Sequence, residues 1–126
     1  MIIGIGIDII EIKRIKAAIE REAFVRRVFT DRETAYCRSR GVQCAASFAA
    51  RFAAKEAVAK AFGCGFAGGN TQDIEVVVGD SGKPGIVVYQ GFAELAAKLG
   101  VTGIHISLTH AREYAAAQAV LEGGNL

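Results

Sequence analysis

Cysteine is scarce and poorly placed for stapling or for metal binding. The chain has three, Cys37, Cys44 and Cys64, an odd number with no C-x-x-C or paired-histidine spacing, so neither a disulfide framework nor a zinc site is indicated. That usage fits a reducing compartment, and a cytoplasmic location is the expectation. Long apolar runs are missing too. The N-terminal IIGIGIDII is too short to span a bilayer, lacks the basic leading region of a secretion signal and contains Asp8, so it reads as a core strand, and no membrane partner is expected. A strong net charge is also absent, with fifteen Lys and Arg against thirteen Asp and Glu. No internal repeat or low-complexity segment interrupts the 126 residues, which are expected to form a single domain, 1–126, with a real core and no linker.

The charge that is present is unevenly spread. Residues 11–40 hold nine Lys and Arg against five Asp and Glu, leaving six against eight in the remainder. A basic segment on a near-neutral chain points to an acidic partner. Nucleic acid is a poor candidate, because the basic residues are not interleaved with exposed-looking aromatics and Asp8 would repel a phosphate backbone.

The stretch that organises the chain runs from Ser47 to Gly63, SFAARFAAKEAVAKAFG. Alanine-rich and free of Gly and Pro until its end, it is expected to be a helix. Phe48, Phe52, Ala59 and Phe62 share broadly one side, while Glu56 and Lys60 stand one turn apart and Arg51 and Lys55 form a second such pair. Glu56 and Lys60 are either an ordinary solvated pair or a carboxylate and a cation held beside an apolar surface. Upstream, the strand 2–10 has Ile3, Ile5, Ile7 and Ile9 facing one way and Gly4, Gly6, Asp8 and Ile10 the other. An ionised aspartate among isoleucines is costly unless paired, and two glycines on its face leave room for a helix or ligand to come close. The alternative is that Asp8 caps the helix that follows.

That helix is expected from Glu11 to about Arg21, with Ile12, Ile15 and Ile19 on its core face and Lys13, Arg14, Lys16 and Arg21 largely off it. Phe24, Val28 and Phe29 continue the burial after a possible break; if the helix is instead continuous to about Arg26, it places Arg14, Arg21 and Val25 along one side with Arg26 nearby. Thr30 and Glu33 form a capping box for a short helix from Asp31 toward Ser39. The loop GCGFAGGN (63–70) lacks the lysine and hydroxyl of a phosphate-cradling loop. Strands are expected at 74–78 and 86–89 around GDSGKPG, then a helix from Gln90 to Leu99. In 104–109, Ile104, Ile106 and Leu108 alternate with His105, Ser107 and Thr109, and YAAAQAVLE reads as the second strand of a hairpin. No Ser-His-Asp arrangement is present, so a hydrolase is unsupported. The element order β-α-α-α-β-β-α-β-β implies an α+β fold, a mainly antiparallel sheet packed against a long central helix.

Taken together, GIGIDIIEIKRI, RFAAKEAVAKAFG, GKP and HISLTHAREYAAAQAV, in that order over nearly the whole chain, resemble the holo-acyl-carrier-protein synthases, the short 4'-phosphopantetheinyl transferases. The resemblance implies transfer of the 4'-phosphopantetheine arm of coenzyme A to a serine of apo acyl carrier protein in fatty acid biosynthesis, with release of adenosine 3',5'-bisphosphate. It also implies magnesium, with manganese as an alternative, held by Asp8 and Glu56. Glu56, Lys60 and His105 would be the catalytic group. Lys60 and His105 would lie by the pyrophosphate, and Lys83, Pro84, Ser107, Thr109 and His110 would hold the nucleotide part. Acyl carrier proteins in this family are acidic, which makes Arg14, Arg21, Val25 and Arg26 the expected docking surface. The family's homotrimers, with sites between subunits, are implied as well. Either Glu56 or a water on the metal would deprotonate the serine. A non-catalytic coenzyme A or carrier-protein binder is the nearest rival.

Overall fold

The computed structural model describes residues 1–124. In chain order the elements are β1 (Ile2–Glu11), α1 (Ile12–Ala18), α2 (Glu22–Val28), α3 (Asp31–Arg38), α4 (Cys44–Phe62), β2 (Ile74–Val78), β3 (Pro84–Val88), α5 (Gln90–Leu99), β4 (Val101–His110) and β5 (Tyr114–Gly123). Strands β1, β5 and β4 form one antiparallel sheet in that order, and β2 and β3 form a separate hairpin. The fold is α+β, as the element order implied, with one helix more than expected.

That extra helix comes from a break. Helix α1 ends at Ala18, and Arg21 has extended backbone (φ −93°, ψ 112°) before α2 begins at Glu22. Arg14, Arg21 and Val25 therefore do not share one side of a continuous helix. Val25 is only 1% exposed and packs with Ile15, Val28, Phe29 and Phe48 between the first helices and α4. It has no surface to offer a partner, and the docking role expected of it is withdrawn.

Helix α4 is the centre of the molecule. Alanines let its backbone lie close to its neighbours, and Gly63, in the left-handed region at φ 85°, closes it. From Ala46 to Phe62 every residue is buried except Phe52, Glu56 and Lys60, which recur at four-residue spacing as a single outward stripe. Against the sheet the approach is extreme. A Cβ built on Gly6 would lie 2.0 Å from the Ala57 carbonyl oxygen, and one on Gly4 2.0 Å from that of Ala61. Only glycine fits either place.

The other face of the sheet is open. Its rows across β1, β5 and β4 are Ile5, Val120 and His105, then Ile7, Gln118 and Ser107, then Ile9, Ala116 and Thr109. Ile5, Ile7 and Ile9 are 67%, 67% and 65% exposed, so the isoleucine face expected to be buried is bare in the single chain. Ile3 leaves that face at an irregularity between Ile2 and Gly4 and joins the core instead.

Candidate active site

Because α4 runs antiparallel to β1, with Ala61 over Gly4 and Ala57 over Gly6, the next residue on that face of the strand, Asp8, comes alongside the outward stripe of α4. Lys60 Nζ donates to Asp8 Oδ1 at 2.9 Å and to the Ile7 carbonyl at 3.1 Å. The carboxylate side chain is largely buried, at 17% exposed, and the lysine is half exposed. Asp8 does not cap α1: that helix starts after Glu11 with no side-chain cap bond.

Glu56 lies one turn before Lys60 and is half-buried. Desolvation, and after it the charge of Asp8, push its carboxyl pKa above the ordinary value, with Lys60 pulling the other way. Asp8 and Glu56 both line a groove of about 920 Å³ that is also bordered by Glu11, Arg14, Arg21, Phe24, Phe52 and Tyr114, while Lys60, bonded to Asp8, borders a separate hollow with Ile5, Gly6, Ile7 and Gln118. A second groove of about 710 Å³, with Arg26, Arg27 and residues 69–73 on its walls, shares Phe24, Phe52 and Glu56. The rings of Phe24 and Phe52, 6.4 Å apart, form the ridge between them, and the guanidinium groups of Arg21 and Arg27 each lie 5.8 Å from the Phe24 ring centre.

The remaining expected residues lie elsewhere in the chain. His105, Ser107 and Thr109 sit on the open face of the sheet, on the side away from Asp8 and α4. His105 Nε2 is 2.9 Å from Glu122 Oε1. Lys83 is exposed in the β2–β3 turn, and Pro84 begins β3. Thr109 and His110 border a small cleft of about 160 Å³ with Tyr36, Arg40, Ser47 and Arg51, and no acidic residue lines it. Arg51 is buried, stacks on Tyr36 at 4.4 Å, and has no carboxylate partner among the described residues. The Ser47 hydroxyl is also unpartnered.

The sequence hid some of this. Arg51 and Lys55 read as an ordinary pair on a helix surface, yet both are buried, Lys55 completely. Glu33 was legible as the capping-box partner of Thr30, and both capping bonds are present. Its ion pair to Lys55 at 2.8 Å was not legible, since nothing in the spacing joins residues 22 apart in different helices. Of the residues that border the first groove, Phe24 lies in no motif, and Tyr114 lies in the HISLTHAREYAAAQAV stretch, where nothing singles it out.

Comparison with known proteins gives one answer. The profile of the 4'-phosphopantetheinyl transferase superfamily matches residues 4–119. A holo-[acyl-carrier-protein] synthase of Moorella thermoacetica is 48% identical over 118 residues, covering 93% of this chain and 91% of that protein. One from Clostridium acetobutylicum is 45% identical over 123 residues, covering 97% and 98%. The crystal structure of a holo-(acyl-carrier-protein) synthase from Bacillus anthracis in complex with CoA (3',5'-ADP) superposes with a TM-score of 0.81 at 37% identity, covering 98% of this chain and 99% of that one.

Proposed function

The chain belongs to the 4'-phosphopantetheinyl transferase superfamily, and from that premise we infer the reaction at the Asp8–Glu56–Lys60 group. It transfers the 4'-phosphopantetheine group of coenzyme A to a serine of apo acyl carrier protein, the loading step that fatty acid synthesis requires. The serine oxygen forms a bond to the β-phosphorus of coenzyme A as the pyrophosphate bridge breaks. Adenosine 3',5'-bisphosphate leaves. The observation that carries the reading is the grouping of Asp8, Glu56 and Lys60, with the two carboxylates lining a groove that Arg14 and Arg21 also border.

Each of these residues has work it is suited to. Lys60, half exposed and already at a carboxylate, is placed to meet the charge that grows on the bridging oxygen. Glu56, whose pKa is raised by burial and by Asp8, is the base that takes the serine proton. Two carboxylates side by side suit a hard divalent cation such as magnesium or manganese, which keeps waters and takes phosphate oxygens as further ligands; no cluster of three or more His, Cys, Asp and Glu side chains occurs among the described residues. When bound, such an ion neutralises charge on the pyrophosphate.

The nucleotide end requires a second chain. His105, Ser107 and Thr109 face away from Asp8 and α4 across the sheet, so one copy does not bring this row and the two carboxylates together. The bare isoleucine face offers the contact that does, and a homotrimer with sites between neighbouring copies joins the two halves. Thr109, His110 and Arg51, around a cleft free of acidic residues, suit the nucleotide's phosphates, with Lys83 and Pro84 toward its base. No helix among the described residues is long and apolar enough to cross a membrane, and the cytoplasm is the compartment in which this reaction is expected. Incubation with apo carrier protein, coenzyme A and magnesium, followed by mass spectrometry, tests the reaction: a carrier that gains no phosphopantetheine overturns it. Light scattering tests the assembly. Ile7→Asp should give a folded but inactive monomer, and full activity from a monomer would sink the shared site.

A further inference from the structure

Lys55 directly precedes Glu56, yet it points away from the groove, into the layer between α4, α3 and β2. Its ammonium has three protons and three partners: the Glu33 carboxylate at 2.8 Å, the Ile74 carbonyl at 2.5 Å and the Thr71 carbonyl at 3.0 Å. Glu33 is held in turn by the backbone N–H groups of Thr30 at 2.9 Å and Val76 at 2.7 Å. Apolar side chains of similar size often fill such space with equal or greater stability, so stability alone does not account for a buried pair. The position of its partners does.

Thr71 opens the short turn Thr71–Asp73, which follows a stretch with four glycines, GCGFAGGN; its far end is braced by the Asn70 N–H to Asp73 Oδ2 at 3.1 Å and by the Tyr89 N–H to the Asp73 carbonyl at 2.8 Å, and its Thr71 end by Lys55. From this turn, the Thr71 hydroxyl donates to the Arg27 carbonyl at 3.2 Å, and the Gln72 amide donates to the Phe29 carbonyl at 3.0 Å and to the Arg26 carbonyl. A chain of contacts therefore runs from Lys55 through the turn to the C-terminal end of α2, the helix that carries Phe24, Arg26 and Arg27 beside Glu56.

We propose that Lys55 is a positioning residue: it anchors the Thr71–Asp73 turn, and through it holds α2 where Arg26 and Arg27 border the second groove beside Glu56. The consequence for catalysis rests on the proposed transfer to an acidic carrier protein, with Arg26 in its docking surface. Asp8, Glu56 and Lys60 are carried by β1 and α4 and do not depend on the turn. Loss of the anchor should therefore act on the carrier and spare coenzyme A.

The test compares Lys55→Met, the charge-free double variant E33Q/K55M and Gln72→Ala, which cuts the next link without entering the core. Hydrogen exchange followed by mass spectrometry should show faster exchange confined to peptides covering 22–29 and 64–74, with β1 and β5 unchanged. The Michaelis constant for apo carrier protein should rise about tenfold in all three variants, with that for coenzyme A within about twofold. Gln72→Ala should do this without a drop in melting temperature. Exchange that rises uniformly, or a Gln72→Ala protein with unchanged α2 exchange and unchanged carrier KM, overturns the proposal. If the wild-type protein transfers nothing, the docking reading fails, while the exchange contrast still decides whether Lys55 anchors α2.

Discussion

Gly6→Ala adds one methyl group at the place where β1 and α4 touch, and its cost follows from the geometry. The new Cβ would sit 2.0 Å from the Ala57 carbonyl oxygen and 2.9 Å from the Ala61 nitrogen, where ordinary contact begins at 3.4 Å. The first gap must open by about 1.4 Å, the difference between 3.4 and 2.0 Å, and both obstacles are helix backbone that no rotamer change relieves. Overpacking of this kind costs roughly 1–3 kcal/mol, which for a chain of 126 residues is a fall of about 3–12 °C in melting temperature. The site should suffer more than the fold. Asp8 is two residues further along the same strand face, and its 2.9 Å contact with Lys60 spans the same interface. A displacement of about an ångström at reacting groups can cost about 100-fold in rate. Gly79→Ala is the control, since its Cβ would meet nothing nearer than 3.5 Å. Calorimetry and carrier-loading kinetics on both variants decide the matter. If Gly6→Ala melts and turns over like Gly79→Ala, the close approach of strand and helix is not what fixes the site.

Asp8→Asn and Glu56→Gln should each lower turnover by about 100-fold or more while the protein stays folded, and full activity of either variant in excess chelator would remove both residues from cation binding. Glu56 also gives a stability signature. Burial and then Asp8 raise its folded pKa, so the folded chain holds the proton more tightly than the unfolded one, and ionisation penalises the fold above the folded pKa. The penalty disappears as pH falls below the ordinary 4.5. Without divalent cations Glu56→Gln should therefore melt higher than wild type near neutral pH, by no more than about 4 °C given the solvent screening of a half-exposed group, and the gain should be gone below 4.5; a lower melting temperature near neutrality would contradict the raised pKa. Arg14→Glu with Arg21→Glu should raise the carrier KM about tenfold or more and spare that for coenzyme A, an effect that weakens above about 0.15 M salt, where the screening length is about 8 Å. Equal, small changes in both constants would reduce these arginines to a solvated face.

What could be read in the sequence was set by how local its cause is. Thr30 and Glu33 sit within one turn, and the capping box they spell is present. The alternation of 104–109 and the alanines of α4 placed those elements, because strand and helix periods are properties of adjacent residues. The break between Ala18 and Glu22 was legible only as one of two readings, a possible break before Phe24 or a helix continued to Arg26, since the core pattern Ile12, Ile15, Ile19 runs on into Phe24, Val28 and Phe29 with neither glycine nor proline to mark it. Both halves of that pattern are buried, but in two short helices that turn on Arg21. The same pattern set Val25 beside the arginines, when its side chain belongs to the core.

The candidate site shows the other limit. Asp8, Glu56 and Lys60 were each visible as a charge in apolar surroundings, and the two glycines on the face of Asp8 left room for either a helix or a ligand; the structure decides for the helix, since Gly4 and Gly6 let the α4 backbone lie on β1. His105, Ser107 and Thr109 were equally visible as a polar row. Which side of the sheet that row would occupy relative to Asp8 depends on the pairing of β1 with β5 and of β5 with β4, the first of which joins residues more than a hundred apart, and no local pattern sets it. The pairing puts His105 level with Ile5 and Thr109 level with Ile9 on the bare face. In the proposed shared site this column of exposed isoleucines is the contact: a second copy covers it and brings its own Asp8 and Glu56 to the polar row that is proposed to hold the nucleotide.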